Sequence, residues 1–295
     1  MLGPHVIGKP DALADVVRDA AVALYLDPGG PVPMAGITIG RVHGLSEDDS
    51  DLLIDPTGLG IRHADELHRH AQVTGIELWT GLNERNPETP AMAAAVAAYE
   101  LARLRRLHSH GLHACVCNFG VGHPNELPGG VIDWAPFREL ADALRPGDYL
   151  GVHEYWLPRP GGPLHPDSLY HRAGRLLRCP LDAEILVTEA GVDVAGGQND
   201  GWRGWGIPVD EYVRQVEAYC EIVRADRRVK GVCLFTYGTV AGQWTSFDWA
   251  PWWRLFLPAI QARPSLREPI RVKRSSGAVE VLELEEYLRG VVPAE

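Results

Sequence analysis

Lysine is almost missing from this chain of 295 residues. Lys9, Lys230 and Lys273 are the whole complement, and the remaining basic charge rests on arginine. Basic side chains number 28 against 39 acidic ones, a formal charge of -11. A surface that grips phosphates needs positive charge in excess, so nucleic acid is excluded as an expected partner. Cysteine is scarce and odd in number. The spacings of Cys115, Cys117, Cys179, Cys220 and Cys233 match no zinc or disulfide framework, so these are expected as small buried apolar residues. Cys115 and Cys117, two apart, are expected on one face of a strand. No apolar run is long enough to span a membrane. No export signal precedes the first expected strand, which starts almost at Met1. No glycine-rich phosphate fingerprint follows that strand, which removes the defining feature of a dinucleotide-binding sheet. Internal repeats and low-complexity segments are also missing.

What is present is a large core and a regular alternation. Hydrophobic residues make up 45% of the chain, with nine tryptophans. Short apolar strands are predicted at residues 3–8, 21–27, 35–43, 76–82, 113–119, 148–156, 184–189 and 231–237. Helices are predicted between them, at 10–19, 55–73, 89–111, 134–144, 167–178 and 208–224, with a closing one at 251–262. Asp55-Pro56 and Thr89-Pro90 are helix starts, a capping side chain followed by proline at the first position. Residues 28–33 leave no room for a helix after the second strand. Strands alternating with helices form a parallel sheet, and eight of them favour closure into a barrel. The expected fold is therefore an α/β (β/α)8 TIM barrel over residues 1–264. A short appendage follows at 265–295, with a hairpin across Ser275-Ser276-Gly277 and a short helix over 285–292.

In such barrels the C-terminal ends of the strands converge on one face, where the chemistry sits. All these strands but the second end in polar or aromatic residues: His5, Arg41 and His43, Asn83 and Glu84, Asn118, His153 to Trp156, Glu189, and Tyr237. Glu84 and Glu189 stand out, because two carboxyl groups flanking one acetal are the minimum equipment for glycoside hydrolysis. Glu84 is expected as the acid/base and Glu189 as the nucleophile. Asn83 can donate an amide hydrogen bond to a sugar hydroxyl. His153 and Tyr155 share a face, so Tyr155 can hold Glu189 ionised, while Glu154 points the other way. Arg41 is expected either to hold the nucleophile's charge or to form a structural ion pair. Trp156, Trp202, Trp205 and Trp244 are candidates to stack on sugar rings. His43, Asn118 and Tyr237 complete the candidate substrate-binding set. His68, His70, His108 and His110 are expected at solvated helix ends on the far face. No metal and no cofactor is expected.

These residues resemble the motifs of the clan A glycoside hydrolases. The resemblance rests on Asn83-Glu84 in WTGLNERNP, Glu189 in ILVTEAG, and the His-x-Tyr of GVHEYW. It implies a retaining hydrolase of β-linked glycosides, acting on an oligosaccharide or polysaccharide through a covalent intermediate. One departure is the eighth strand, which ends in FTYG where many members carry tryptophan; Trp244 is the candidate substitute. The alternative expectation is a barrel that binds a cell-wall glycan without cleaving it. The tail VEVLELEEYLRGVVPAE is similar to the opening of the sporulation stage II protein D domain. The glutamate of that domain's motif falls at Glu295, and the similarity implies a cell-wall, extracytoplasmic setting.

Overall fold

A computed structural model describes residues 1–9, 12–127, 131–157, 179–194, 196–224, 226–261, 270–273 and 279–282. The chain divides into two compact units, Met1–Gln261 and Ala262–Glu295. In the first, eight strands close into a parallel barrel: β1 (Leu2–Val6), β2 (Val22–Leu26), β3 (Ile37–Arg41), β4 (Leu78–Thr80), β5 (His113–Phe119), β6 (Tyr149–Trp156), β7 (Ile185–Val192) and β8 (Val229–Tyr237). They pair in sequence order, and β1 meets both β2 and β8, which seals the ring. The fold is thus the expected (β/α)8 TIM barrel.

Alternation along the strands builds two cores. Val22, Leu24, Ile39, Leu78, Cys115, Leu186 and Cys233 plug the barrel itself. A larger cluster lies between the strands and the helices, and Trp79, Tyr99, Trp156 and Trp249 are among its members. Each fully buried aliphatic side chain there contributes about 1.5–3 kcal/mol. Cys115 belongs to the inner plug and Cys117 to the outer core, so the two thiols do not share a face as expected. The backbone explains it. Cys117 and Asn118 have φ of +74° and +45°, and the β5–β6 register shifts between Cys117 and Phe119. This bulge breaks the alternation.

Helices α1 (Leu13–Arg18), α2 (His43–Ser46), α3 (Pro56–Thr74), α4 (Pro90–Ser109), α5 (Arg138–Asp142), α6 (Val209–Arg224) and α7 (Leu257–Gln261) belong to the same unit. Asp55 and Thr89 cap α3 and α4 as their sequence predicts, accepting the N–H of Gly58 and Met92. No helix joins β2 to β3, as the Gly/Pro turn requires. Two segments are less regular than expected. The 134–144 stretch is a 3₁₀ turn, Ala135–Phe137, followed by the short α5, and the closing helix begins as a 3₁₀ run, Ala250–Phe256, before α7. A small hairpin, Glu126–Leu127 with Val131–Ile132, follows β5 and was not anticipated. The expected helix at 167–178 lies outside the described residues.

In the second unit Ile270–Lys273 pairs antiparallel with Val279–Leu282. These strands fall within the hairpin expected there, whose turn, like the expected helix at 285–292, lies outside the described residues. Among the described residues no helix is long and apolar enough to cross a membrane.

Candidate active site

Glu189 is seated first, because the barrel holds it most tightly. It sits on β7 opposite His153 of β6. Arg41, at the end of β3, donates from Nη1 to Glu189 Oε1 at 2.5 Å. Tyr155 donates its hydroxyl to Oε2 at 2.7 Å. His5 lies fully buried beneath, with Nδ1 3.7 Å from Oε1. Burial alone would raise the Glu189 carboxyl, but His153, Arg41, His5 and the Tyr155 hydrogen bond outweigh it and hold it down at about 2. His5 is itself pushed down to about 3 by burial. It is therefore uncharged near neutrality, and the guanidinium of Arg41 is a permanent positive charge beside Glu189.

Glu84 follows β4 on a different footing. Its backbone φ is +49°, in the left-handed region that side chains other than glycine seldom occupy. Its N–H donates to the carbonyl of Asn118 at 3.1 Å. Its carboxyl Oε1 lies 2.8 Å from His153 Nδ1, and the same nitrogen is 3.5 Å from Glu189 Oε2. The two carboxyl groups thus converge on one imidazole, with their facing oxygens within 4.8 Å of each other. Glu84, His153 and Glu189 together offer three atoms that could hold a cation. Arg41 and Tyr155 already engage both oxygens of Glu189, so the cluster has internal partners for its charge.

The other candidates divide. Asn83 is half-buried beside Glu84, with its N–H donating to Ser46 O at 2.8 Å. His43 is exposed at the start of α2. Trp244 packs its edge on Phe235, whose ring touches His5 and Tyr155, so it adjoins the aromatic wall of the site. Trp205 is 51% exposed on its loop. Four placements correct the sequence reading. Trp156 is fully buried against α6, stacked on Tyr219 and donating to Gln215 Oε1 at 3.0 Å. Trp202 is buried too, stacked on Tyr212 with its indole N–H on Phe247 O. Tyr237 packs edge-on against Trp249 in the outer core. None of these three rings is open to a sugar. Asn118 points inward, where Thr188 and Cys115 satisfy its side chain; its carbonyl, not its amide, serves the site.

Glu154 faces outward as expected, accepting from Tyr219 of α6. The helix-end histidines are paired rather than clustered for a metal: His108 meets Asp148, His110 meets Asp65 and stacks on His68. Two residues that line the site were not singled out. Asn86 accepts the Gly120 N–H at 2.9 Å, and a Cβ on Gly120 would lie 3.1 Å from Glu84 Oε1. The sequence signal was there, the first of two glycines, Gly120 and Gly122, just past the end of β5.

No protein-family model and no curated protein matches the chain. Solved structures do. A GH5-4 broad specificity endoglucanase from an uncultured bacterium aligns with a TM-score of 0.54 at 10% identity, covering 86% of this chain and 85% of the other. A GH128 (subgroup I) endo-beta-1,3-glucanase from Amycolatopsis mediterranei, in complex with laminarihexaose, aligns with a TM-score of 0.51 at 16% identity, covering 80% and 88%. At these identities the likeness establishes the shared barrel.

Proposed function

We propose that the protein is a retaining glycosidase that cleaves a β-linked glucan, with Glu84 as acid/base and Glu189 as nucleophile. One observation carries this reading: two strand-end carboxyl groups with facing oxygens within 4.8 Å. Retaining enzymes hold their carboxyl groups ~5–5.5 Å apart, whereas inverting ones leave ~6.5–9.5 Å for a water. The laminarihexaose bound by the Amycolatopsis mediterranei enzyme makes β-1,3-glucan the first substrate to try. Peptidoglycan, a β-linked polymer of amino sugars and not a glucan, is the comparison substrate that the tail's resemblance suggests; its cleavage alone would keep the two-carboxylate mechanism and overturn the glucan.

The steps follow from the partners. Glu84 gives its proton to the glycosidic oxygen as that bond to the anomeric carbon breaks. A lone pair of Glu189 closes on the same carbon and forms a glycosyl ester. Glu84, now a carboxylate, takes a proton from water; the water oxygen attacks the anomeric carbon and Glu189 leaves. Tyr155 and Arg41 each engage one Glu189 oxygen, which keeps the nucleophile ionised and aimed. His153 Nδ1, 2.8 Å from Glu84 Oε1, can hydrogen-bond that carboxyl and orient it toward the glycosidic oxygen.

The test is to incubate the protein with laminarin, cellulose-type and mixed-linkage glucans and peptidoglycan. Products are then followed by proton NMR from the first turnover. A β-anomer appearing first supports the reading. An α-anomer appearing first, or binding with no cleavage of any of them, overturns it in favour of an inverting enzyme or a glycan-binding barrel.

A further inference from the structure

The β4–β5 ladder stops at Thr80 and Cys115, just before the chain turns to present Glu84. At that point α4 pushes a fully buried ion pair between the strands. Arg103 donates from Nε and Nη2 to Glu100 Oε2 at 2.9 and 2.6 Å. Its Nη1 donates to the Trp79 carbonyl of β4 at 3.1 Å, and its Nη2 to the Cys115 carbonyl of β5 at 3.0 Å. Glu100 Oε1 accepts the N–H of Cys117 at 3.0 Å. Gly81 leaves the room: a Cβ there would lie 2.5 Å from Arg103 Nε.

Cys117 and Asn118 are the left-handed residues of the β5 bulge, and the Asn118 carbonyl accepts the N–H of Glu84. The contacts therefore run without a gap from α4 to the backbone of Glu84. Left-handed backbone at residues other than glycine is costly and persists only where the surroundings impose it. We propose that Glu100 and Arg103 are positioning residues, an internal clamp that fixes the β5 bulge and through it the left-handed conformation presenting the Glu84 carboxyl to the leaving oxygen. This rests on Glu84 being the acid/base.

The test compares phenyl and 2,4-dinitrophenyl β-laminaribiosides. Protonation matters greatly for the first leaving group and little for the second. Removing one partner of a buried pair threatens folding, so two variants are used: Arg103→Lys, which keeps the charge but not the fork, and the paired Glu100→Gln/Arg103→Met. Each should lower kcat/KM, which reports only the steps through glycosyl-ester formation, on the phenyl glycoside by roughly tenfold or more and leave kcat/KM on the dinitrophenyl glycoside nearly unaffected. Adding Glu84→Gln should abolish that difference between clamp variant and parent. Equal losses on both glycosides would overturn the clamp as a positioning device. If the unaltered protein cleaves another glucan, the two aryl glycosides are made from that one instead; if it cleaves no glucan, the functional reading fails by itself. Crystal structures of the variants then decide the clamp: Glu84 must leave its left-handed φ and its contact with His153, and an unmoved Glu84 refutes it.

Discussion

Glu189 and Glu84 stand on either side of one imidazole, yet the protein holds them in opposite ways. The side chain of Glu189 is 9% exposed and meets Arg41, Tyr155, His153 and His5. The side chain of Glu84 is 44% exposed and touches His153, while its backbone is fastened to Asn118. One carboxyl is fixed through its oxygens, the other through its main chain. The difference suits the proposed roles. A nucleophile must stay charged, so donors crowd it. An acid/base must change protonation state twice per turnover, so strong donors would trap it in one form. Its place is set by backbone instead.

The sharpest way to break this comparison is to treat both carboxyls alike. Glu189→Gln should reduce turnover by on the order of 10⁴-fold whatever the leaving group. Glu84→Gln should cost about 10²–10⁴-fold in kcat/KM on a natural glucan and much less in kcat/KM on a dinitrophenyl glycoside, whose departure needs no proton. Steady-state kinetics on both substrates checks the pair; identical losses would erase the distinction. Next in size is Arg41→Met. Losing one preorganised donor costs about 10²–10³-fold. With Arg41 gone, the Glu189 carboxyl rises from about 2 toward its ordinary value. Activity fails as pH falls through the nucleophile's pKa, so the acid limb of the pH–rate profile should move toward neutrality. An unmoved limb would mean Arg41 serves only the fold.

A smaller effect is expected beneath Glu189. His5 binds a proton near 6.5 when unfolded but only near 3 when folded, because burial opposes its charge. Between those values the unfolded chain holds more protons. His5 therefore gives its full stability above about pH 6.5 and loses it as pH falls, by up to about 1.4 kcal/mol per pH unit. Glu189 acts in the same direction but lower, between 4.5 and about 2. Replacing His5 with Gln should flatten the decline in unfolding midpoint between pH 6.5 and 5. Parallel declines in both proteins would show that His5 is not the group responsible.

Much of this was legible in the chain. Apolar strands bounded by capping residues gave the barrel, because period-2 burial and Asp-Pro or Thr-Pro starts are local signals. Glu84, Glu189, His153 and Tyr155 were legible for the same reason, as polar residues where a buried strand ends. Trp156 was misread although the information was present. It lies two residues from Glu154 and so shares its outward face, and the alternation that set aside Glu154 sets aside Trp156 too. Asn118 could not be read in this way. Its direction depends on left-handed backbone at Cys117 and Asn118, which a buried pair on another element imposes. Trp202 was hidden for a related reason: its loop folds back against Tyr212 of α6, a contact no local pattern encodes.

The mildest perturbation probes the comparison from the Glu84 side. Gly120 backs its carboxyl, and a methyl added there would stand 3.1 Å from Oε1. That is tight for a carbon and an oxygen but not a collision, and the end of a glutamate can yield by a few tenths of an ångström. Gly120→Ala should therefore leave folding intact and displace the carboxyl slightly from His153. Proton transfer depends on geometry at that scale, so a loss of roughly threefold to tenfold on poor leaving groups is expected. The kcat/KM on dinitrophenyl glycosides, whose departure needs no proton, should be unaffected. If Gly120→Ala instead impaired dinitrophenyl glycosides equally, the methyl would be acting on substrate binding rather than on Glu84. If it changed nothing, the Glu84 side chain would be free to find its own place, and the backbone could not be what positions it.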